Sequence, residues 1–313
     1  MSSLMRNGLM RDGLISNNLD FPEIRRLGAD DLKKCAALAV DRGWWPERDK
    51  WSLLLDASEG YAIDAPDGLG LAGTVVLTRW GASCAAIGMM LVASRYEGHG
   101  LGRALMEHAL GAAGEGTAVS LYATAAGRPL YEKLGFKPVR RSVAFRGRFR
   151  VGPQPDNTRK GKAPAGASGS SGNVRIATEA DLPGILALDG AAYGADRERI
   201  LARLPAFAER IVVFEASEGI AGYAAAWRTE PFTMIGPLMA RDAAVARRLV
   251  TELAVHSTVG VRLDLDPDRS ELPSWARAHG LAPTERTVIM THGGPAPRGL
   301  LEGLFAPISV AMA

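Results

Sequence analysis

The feature that most constrains this chain is a strand that opens through glycines into a helix, at residues 87–103. An apolar run is followed by a short loop and then by helical apolar spacing up to Ala113. The loop carries glycines at alternate positions, Gly98, Gly100 and Gly102. Small residues let a ligand approach the backbone, and free N–H groups at a helix start point at an anion. Residues 98–103, here called the glycine loop, therefore predict a pyrophosphate site, although a flexible turn would use the same residues.

The spacing of the glycine loop excludes two familiar nucleotide sites. A Walker loop needs Lys and Ser or Thr directly after its last glycine, and here Arg103 and Ala104 follow instead. A Rossmann fingerprint places its third glycine three residues after the second, whereas Gly102 comes two residues after Gly100.

A second motif, Leu-Tyr-Glu-Lys-Leu-Gly-Phe, lies downstream at residues 130–136. It follows a short stretch with strand character at residues 119–123 and reads as a short helix. Pro129 suits the first turn of that helix, and Gly135 is placed as a left-handed C-cap.

Together, in this order, the two motifs resemble those of the GNAT superfamily of N-acetyltransferases over residues 22–146. The resemblance implies acetyl-CoA as co-substrate and assigns the strand end to its pantetheine arm, through Met90, Leu91 and Val92. It assigns the pyrophosphate to the amides of Gly98, His99, Gly100, Leu101, Gly102 and Arg103. It also implies that Tyr131 protonates the departing thiolate, the alternative being a ring that packs on the sheet.

Two positions depart from the pattern of the family. Many relatives carry Asn where this chain has Thr124, whose hydroxyl can still make one hydrogen bond to the cofactor. The loop of the family often begins with Gln or Arg, and this chain has Glu97. A carboxylate beside a pyrophosphate is unfavourable, so we expect Glu97 to face solvent or to pair with Arg95 or Arg103.

No general base is assigned from the sequence. The strand before the glycine loop has no acidic residue between Ala85 and Val92. Asp41 and Glu47 flank a Trp-Trp pair and are candidates, but the amine can also arrive neutral or lose its proton to water.

The second half of the chain repeats the first in outline. The segment at residues 174–182 matches that at 23–32, and the run beginning at Ile235 mirrors the one beginning at Ile87. The copies differ where chemistry would occur, because the segment after Met239 is shorter and has no glycine. The counterpart of Tyr131 falls near residues 273–275, which hold no tyrosine. We therefore expect one cofactor site, and a second domain that braces the first, dimerises or lines the acceptor pocket.

These patterns predict an α/β fold of two tandem GNAT-like domains, each a mixed, mostly antiparallel sheet flanked by helices. The predicted division is a flexible extension, a catalytic domain, a Gly/Pro/Ser-rich linker, a degenerate domain and a tail, at residues 1–21, 22–150, 151–173, 174–294 and 295–313.

Candidate acceptor-binding residues fall in both halves. The tryptophans on the acceptor side of the first domain are Trp44, Trp45, Trp51 and Trp80, with core packing as an equal alternative for each. In similar folds the region of Trp44 and Trp45 covers the substrate. Asp264 and Asp266 end a predicted strand and are candidates to receive a cationic amine, although carboxylates that start a turn before Pro267 fit the sequence as well.

Composition narrows the possible partners. The 47% hydrophobic fraction predicts folded cores, and a net charge of only +3 argues against a nucleic-acid partner. The 2 cysteines fit buried thiols in a reducing cytoplasm, and the 5 histidines have no metal-ligand spacing, so no metal is expected. Without a long apolar run or a secretory signal, we expect no membrane partner and a cytoplasmic protein.

The predicted function is direct transfer of an acetyl group from acetyl-CoA to the primary amine of a small molecule. Direct attack is favoured because no Cys or Ser stands beside an evident His base. The alternatives are a non-catalytic acyl-CoA-binding or regulatory module, and an acetyltransferase that acts on a protein amine. The sequence leaves open whether the protein is a monomer or a homodimer.

Overall fold

The computed structural model describes residues 21–152, 172–295, 297, 299 and 303–312. Residues 21–152 form the N-terminal half. Its helices and strands are β1 (Arg25–Arg26), α1 (Leu32–Asp41), α2 (Arg48–Ala57), β2 (Glu59–Asp64), β3 (Leu71–Trp80), β4 (Cys84–Val92), α3 (Leu101–Ala113), β5 (Ala118–Ala123), α4 (Arg128–Lys133) and β6 (Lys137–Gly147).

The described residues from 172 to 312 form the C-terminal half. Its elements are β7 (Gly172–Ile176), α5 (Leu182–Tyr193), α6 (Glu198–Leu201), α7 (Leu204–Phe207), β8 (Arg210–Ala216), β9 (Gly219–Thr229), β10 (Phe232–Ala240), α8 (Ala243–Ala254), β11 (Gly260–Leu265), α9 (Leu272–Ala278), β12 (Ala282–His292) and β13 (Leu304–Ala306). The predicted mixed α/β class, with helices flanking a mixed sheet, is confirmed.

The halves repeat the same local structure at their starts. Arg25 pairs with Asp31 at 2.8 Å, and Arg175 pairs with Asp181 at 2.7 Å. In both halves this aspartate also accepts a hydrogen bond from the backbone N–H three residues before it, which fixes the turn before the first long helix. The repeat predicted from the sequence is therefore present in the hydrogen bonds as well as in the residue pattern.

Strands β6 and β12 are exchanged between the two halves. The described strands form one sheet in the order β1-β2-β3-β4-β5-β12-β6-β11-β10-β9-β8-β7, with β13 beside β10. Strand β12 lies between β5 and β6, and β6 pairs with β11. Each half thus covers the open edge that the other half would otherwise expose to solvent. The predicted domain boundaries therefore divide the sequence but not the sheet, which runs through both halves.

The end of the chain belongs to the core. Residues 295–313 are predicted as a tail, yet β13 pairs with β10, and Leu304, Ile308 and Met312 are buried. Most of the predicted linker, residues 153–171, and residues 1–20 of the predicted extension lie outside the described residues. None of the helices in the described part of the chain is both long enough and apolar enough to cross a membrane.

Candidate functional site

The glycine loop turns the chain sharply before α3. Gly98 and Gly100 have φ angles of 79° and 81°, in the left-handed region that glycine adopts without strain. A Cβ atom added at either position would meet nothing within 4 Å, so the space over the loop is open. The glycines are therefore required by the backbone conformation and not by crowding.

The amides of the glycine loop are free to bind an anion. Among the described residues, no N–H group from Gly98 to Arg103 donates a hydrogen bond, and the first donor is Ala104, to the Gly100 carbonyl at 3.1 Å. Free amides at the start of a helix of this length carry a partial positive charge. The loop can therefore hold a diphosphate through its backbone alone.

Glu97 is kept out of the glycine loop by a residue that the sequence did not suggest. Its carboxylate pairs with Arg42 at 2.6 Å, and not with Arg95 or Arg103. Arg95 pairs with Asp67 and Arg103 with Glu107, its neighbour along the helix. The negative charge of Glu97 is therefore balanced by the residue that follows α1, which corrects the expected partner.

A slot opens between β4 and β5 next to the glycine loop. The parallel pairing of these strands ends at Ile87 and Leu121, so the end of β4 has no partner on that side. Met89 has a φ angle of 47°, and its carbonyl accepts a hydrogen bond from the Thr74 hydroxyl at 2.9 Å. This local bulge bends β4 away from β5.

The slot and the glycine loop are adjacent. The side chains of Met90 and Val92 come within 4 Å of the position that a Cβ on Gly102 would take. Leu130 of α4 also approaches that position, at 3.3 Å. The two sequence motifs therefore meet at one place, where an extended ligand can run from the loop into the slot.

The structure shows Tyr131 packed in the core and leaves its predicted role as an acid open. Its ring is 7% exposed and packs beside Phe136, with ring centroids 6.0 Å apart. Its hydroxyl makes no hydrogen bond to any described residue, and burial raises its pKa to about 12. The phenol therefore stays protonated at neutral pH and can donate its proton. Thr124 accepts a hydrogen bond from the Gly127 amide at 3.2 Å, at the start of α4.

A cavity of about 380 Å³ lies between the two halves and reaches Tyr122 and Thr124. Trp44 and Trp45 line it from the loop before α2 and are partly exposed, so of the two alternatives they do not pack in the core. Trp80 does not line it, because its side chain is 1% exposed and packs in the core at the end of the central strand β3. The residue type alone did not distinguish a pocket wall from a core residue.

One of the two candidate bases faces this cavity. Glu47 lines it, forms an ion pair with Lys50 and accepts a hydrogen bond from the hydroxyl of Thr229 in the C-terminal half. Glu47 has a φ angle of 35°, a strained conformation of a kind that persists mainly at functional sites. Asp41 instead accepts a hydrogen bond from the Ser94 amide at 2.6 Å, so it holds the turn before the glycine loop.

Lys50 is a buried cation in the same cavity, with 4% of the residue exposed. Burial lowers its pKa to about 7, and the nearby Arg262 guanidinium acts in the same direction. The Glu47 carboxylate in contact with Lys50 acts in the opposite direction.

Asp264 and Asp266 do not face the cavity as free carboxylates. Asp264 is 2% exposed and pairs with Arg262 at 2.9 Å. Asp266 pairs with Arg140 at 2.7 Å and accepts a hydrogen bond from the Asp268 amide, which makes it part of a turn. Neither residue lines the cavity, and their contacts fit the alternative that the sequence left open, carboxylates that hold the strand end and the turn before Pro267.

The sequence missed the cavity residues that come from the exchanged strand β6, from the C-terminal half and from the end of the chain. Those without a sequence-based prediction include Arg146, Phe232, Arg262, Arg286, Ser309, Val310 and Ala311. The strand exchange and the return of the chain end bring them to the site. No spacing in the sequence signals either event.

The equivalent positions in the C-terminal half are occupied by the protein itself. The side chain of Asp242 accepts a hydrogen bond from the Val245 amide at 2.8 Å and so caps α8. Strand β13 pairs with β10 at Leu238 and Met239, where the slot of that half would lie. The described residues contain no cluster of metal-ligating side chains in either half.

The backbone also identifies the counterpart of Tyr131. The Phe136 amide bonds the Tyr131 carbonyl, and the Leu281 amide bonds the Ala276 carbonyl at the matching position. The counterpart is therefore Ala276, one residue beyond the predicted segment 273–275, and it likewise has no hydroxyl.

Comparisons with known proteins agree with this geometry. A family model described as Acetyltransferase (GNAT) family matches residues 29–136, and one described as Acetyltransferase (GNAT) domain matches residues 185–306. The chain is 26% identical over 296 residues to the uncharacterized N-acetyltransferase YitH of Bacillus subtilis (strain 168), covering 93% of this chain and 98% of that protein.

Solved structures share the fold. A putative acetyltransferase from Pyrococcus horikoshii matches with a TM-score of 0.75 at 17% identity, covering 95% of this chain and 98% of that chain. A tandem GNAT protein from the clavulanic acid biosynthesis pathway matches with a TM-score of 0.58 at 16% identity, covering 88% and 99%. The chain belongs to the GNAT acetyltransferases and carries two GNAT domains in tandem.

Proposed function

We propose that this acetyltransferase uses acetyl-CoA and transfers the acetyl group directly to the primary amine of a small molecule, at one site in the N-terminal half. The observation that carries the proposal is the run of free amides in the glycine loop beside the slot at β4. An acyl thioester, when bound, supplies the activated carbonyl carbon that the amine attacks.

The residues of the chain fit such a donor. The amides of residues 98–103 would bind the diphosphate, and the open backbone edge at Met90 to Val92 would bind the pantetheine arm. Tyr131 would donate its proton to the sulfur as negative charge develops there, because its hydroxyl has no competing partner among the described residues.

Direct transfer is supported by the residues around the cavity. None of the described residues that line it is a cysteine or a histidine. The buried Cys35 is a poor nucleophile, because burial raises the pKa of its thiol to about 12. An acyl-enzyme route therefore has no activated nucleophile at hand.

The size of the cavity favours a small acceptor. A volume of about 380 Å³ is in the range of small-molecule pockets, and residues of both halves enclose it. A protein acceptor would instead need a surface that admits an extended peptide.

The test is a thiol-release assay with acetyl-CoA and a panel of small amines and peptides, together with calorimetry. We expect turnover with some small amines, and a kcat reduced by about 100-fold or more in Tyr131→Phe with unchanged acetyl-CoA affinity. Tyr61→Phe is the control, since the hydroxyl of this buried tyrosine donates to Glu59 instead.

Two outcomes would contradict the proposal. Binding of acetyl-CoA without turnover on any amine would indicate an acyl-CoA-binding module. Turnover with peptides alone would indicate a protein acetyltransferase.

A further inference from the structure

The acceptor cavity contains an excess of positive charge. Its basic residues are Lys50, Arg146, Arg262 and Arg286, and its acidic residues are Glu47, Glu230 and Glu285. Most are neutralised locally, through the pairs Lys50–Glu47, Arg262–Asp264, Arg146–Glu285 and Arg228–Glu230. The excess positive charge is therefore at Arg286.

The side chain of Arg286 is exposed, and its guanidinium makes no ion pair or hydrogen bond with any described residue. It lies on β12, at the end of an irregularity in the pairing between β12 and β6. It lines both the acceptor cavity and a neighbouring cavity that contains Thr124 and Arg128, at the start of the helix that carries Tyr131. An unpaired guanidinium is thus positioned at the edge of the proposed reaction site.

Arg146 adds a second unsatisfied donor. Its terminal nitrogen donates to Glu285 at 2.8 Å, and its guanidinium lies over the ring of Phe232. Its Nε–H is buried and has no hydrogen-bond partner. A buried donor without an acceptor is unfavourable, and a ligand oxygen would satisfy it.

A hydrogen-bond acceptor for the amine lies elsewhere in the same cavity. The carboxylate of Glu47 is held by Thr229 and Lys50 and faces the space that Trp44 also lines. Apolar side chains complete the wall, among them Phe232, Met234 and Val310. The cavity therefore offers a carboxylate oxygen to accept a hydrogen bond from an amine, basic groups for an anion and an apolar surface.

We propose that the acceptor is an amine that also carries a carboxylate, an amino acid in the simplest case. Glu47 would accept a hydrogen bond from the amine, which attacks in its neutral form after losing a proton to water, and Arg286 with Arg146 would receive the carboxylate. This inference rests on the proposed function, because it specifies the substrate class of the same cavity.

The experiment compares matched acceptors in the thiol-release assay with acetyl-CoA. Each apolar or aromatic amino acid is measured beside its carboxamide and its decarboxylated amine. We expect kcat/KM to be at least about tenfold higher for the free acid than for the carboxamide. Arg286→Gln should raise the KM of the acids by about tenfold and leave the carboxamides unchanged.

Two further variants control the experiment. Arg286→Lys retains the charge and should keep most of the preference for the acids. Arg247→Gln makes the same substitution at a half-buried arginine of α8, paired with Glu271 and away from the cavity, and should change the kinetics of neither substrate class.

The inference would be overturned if wild-type protein used carboxamides as well as acids, or if Arg286→Gln impaired both equally. Failure of the proposed function looks different, since no amine of any class would then release thiol in the presence of acetyl-CoA. Calorimetry on the same samples reports whether the donor binds.

Discussion

The residue at the N-cap of the helix after the central strand is a glycine in the N-terminal half and an aspartate in the C-terminal half. Gly100, with a φ angle of 81°, leaves the amides at the start of α3 free. Asp242 supplies its own carboxylate to an amide of α8. Two copies of one fold thus satisfy the same helix start in two ways, and only the first leaves it available to an external anion.

The slot beside the central strand is likewise open in the N-terminal half and filled in the C-terminal half. In the N-terminal half the end of β4 is open toward β5, whereas in the C-terminal half β13 pairs with the end of β10. The chain end then continues to Ala311, whose carbonyl lies against Gly88 of β4 where a side chain would not fit. The same segment that fills one slot therefore forms part of the acceptor cavity of the other half.

The acceptor side also differs between the halves. Lys50 is the third residue of α2, and the third residue of α6 is Ile200. Both are buried, so the C-terminal half places an apolar side chain where the N-terminal half places a cation. A buried cation is costly for folding, which indicates that it is kept for the cavity and not for the core.

Removal of the chain end should have the largest effect. Truncation before Gly303 removes the buried side chains of Leu304, Ile308 and Met312. It exposes to solvent the apolar residues of both halves that they cover. At about 1.5–3 kcal/mol for each large apolar side chain, the free energy of unfolding should fall by at least about 4 kcal/mol. Denaturant unfolding of the full-length and truncated proteins measures this loss of free energy. An unchanged midpoint would mean that the segment does not hold the two halves together.

A carboxylate at the start of α3 should block the anion site of the N-terminal half, as Asp242 does at the start of α8. Gly100→Asp places an acid where the diphosphate would bind, and we expect acetyl-CoA to bind about 100-fold more weakly. Gly116→Asp is the matched control, because Gly116 has a similar φ angle of 78° and equally open space, but lies away from the loop. Equal loss of affinity in both variants would contradict the role of the loop.

Lys50 should make the free energy of unfolding depend on pH, whereas its counterpart Ile200 does not titrate. With a pKa of about 7 when folded and 10.5 when unfolded, Lys50 binds fewer protons in the folded protein between these pH values. The free energy of unfolding should therefore rise with pH across that window, by at most about 1.4 kcal/mol per pH unit.

The variant Lys50→Ile should lack this rise, and unfolding curves at pH 7, 8 and 9 compare the two proteins. An identical pH profile in wild type and variant would mean that Glu47 keeps Lys50 charged throughout the window.

The smallest effect is expected at the cap of α8. Asp242→Ala removes one charge-assisted cap, which should lower the free energy of unfolding by about 1 kcal/mol. It should create no second binding site for acetyl-CoA, because β13 still fills the slot beside β10. Calorimetry that gave two sites per chain for this variant would show that the aspartate alone closes the second half.

The sequence predicted the parts of the site that depend on local conformation. Gly98 and Gly100 need φ angles that favour glycine, and Gly135 ends a helix, so each leaves a signal within a few residues. The glycine loop and the helix of Tyr131 lie where those signals placed them.

The parts that depend on long-range pairing could not be predicted. Strands β6 and β12 have patterns that fit either half, so their exchange leaves no trace in the sequence. For a related reason, the sequence left two alternatives open for Trp80 and for Asp264. Burial and the partners of a carboxylate are set by distant residues, Arg262 in the case of Asp264.

A crystal structure with bound coenzyme A would test the central claim, one donor site in the N-terminal half, most directly. We expect the diphosphate against the amides of residues 98–103 and the pantetheine arm between β4 and β5, with β13 still paired to β10 in the other half. Coenzyme bound at the start of α8, or an empty glycine loop at saturating ligand, would contradict the account.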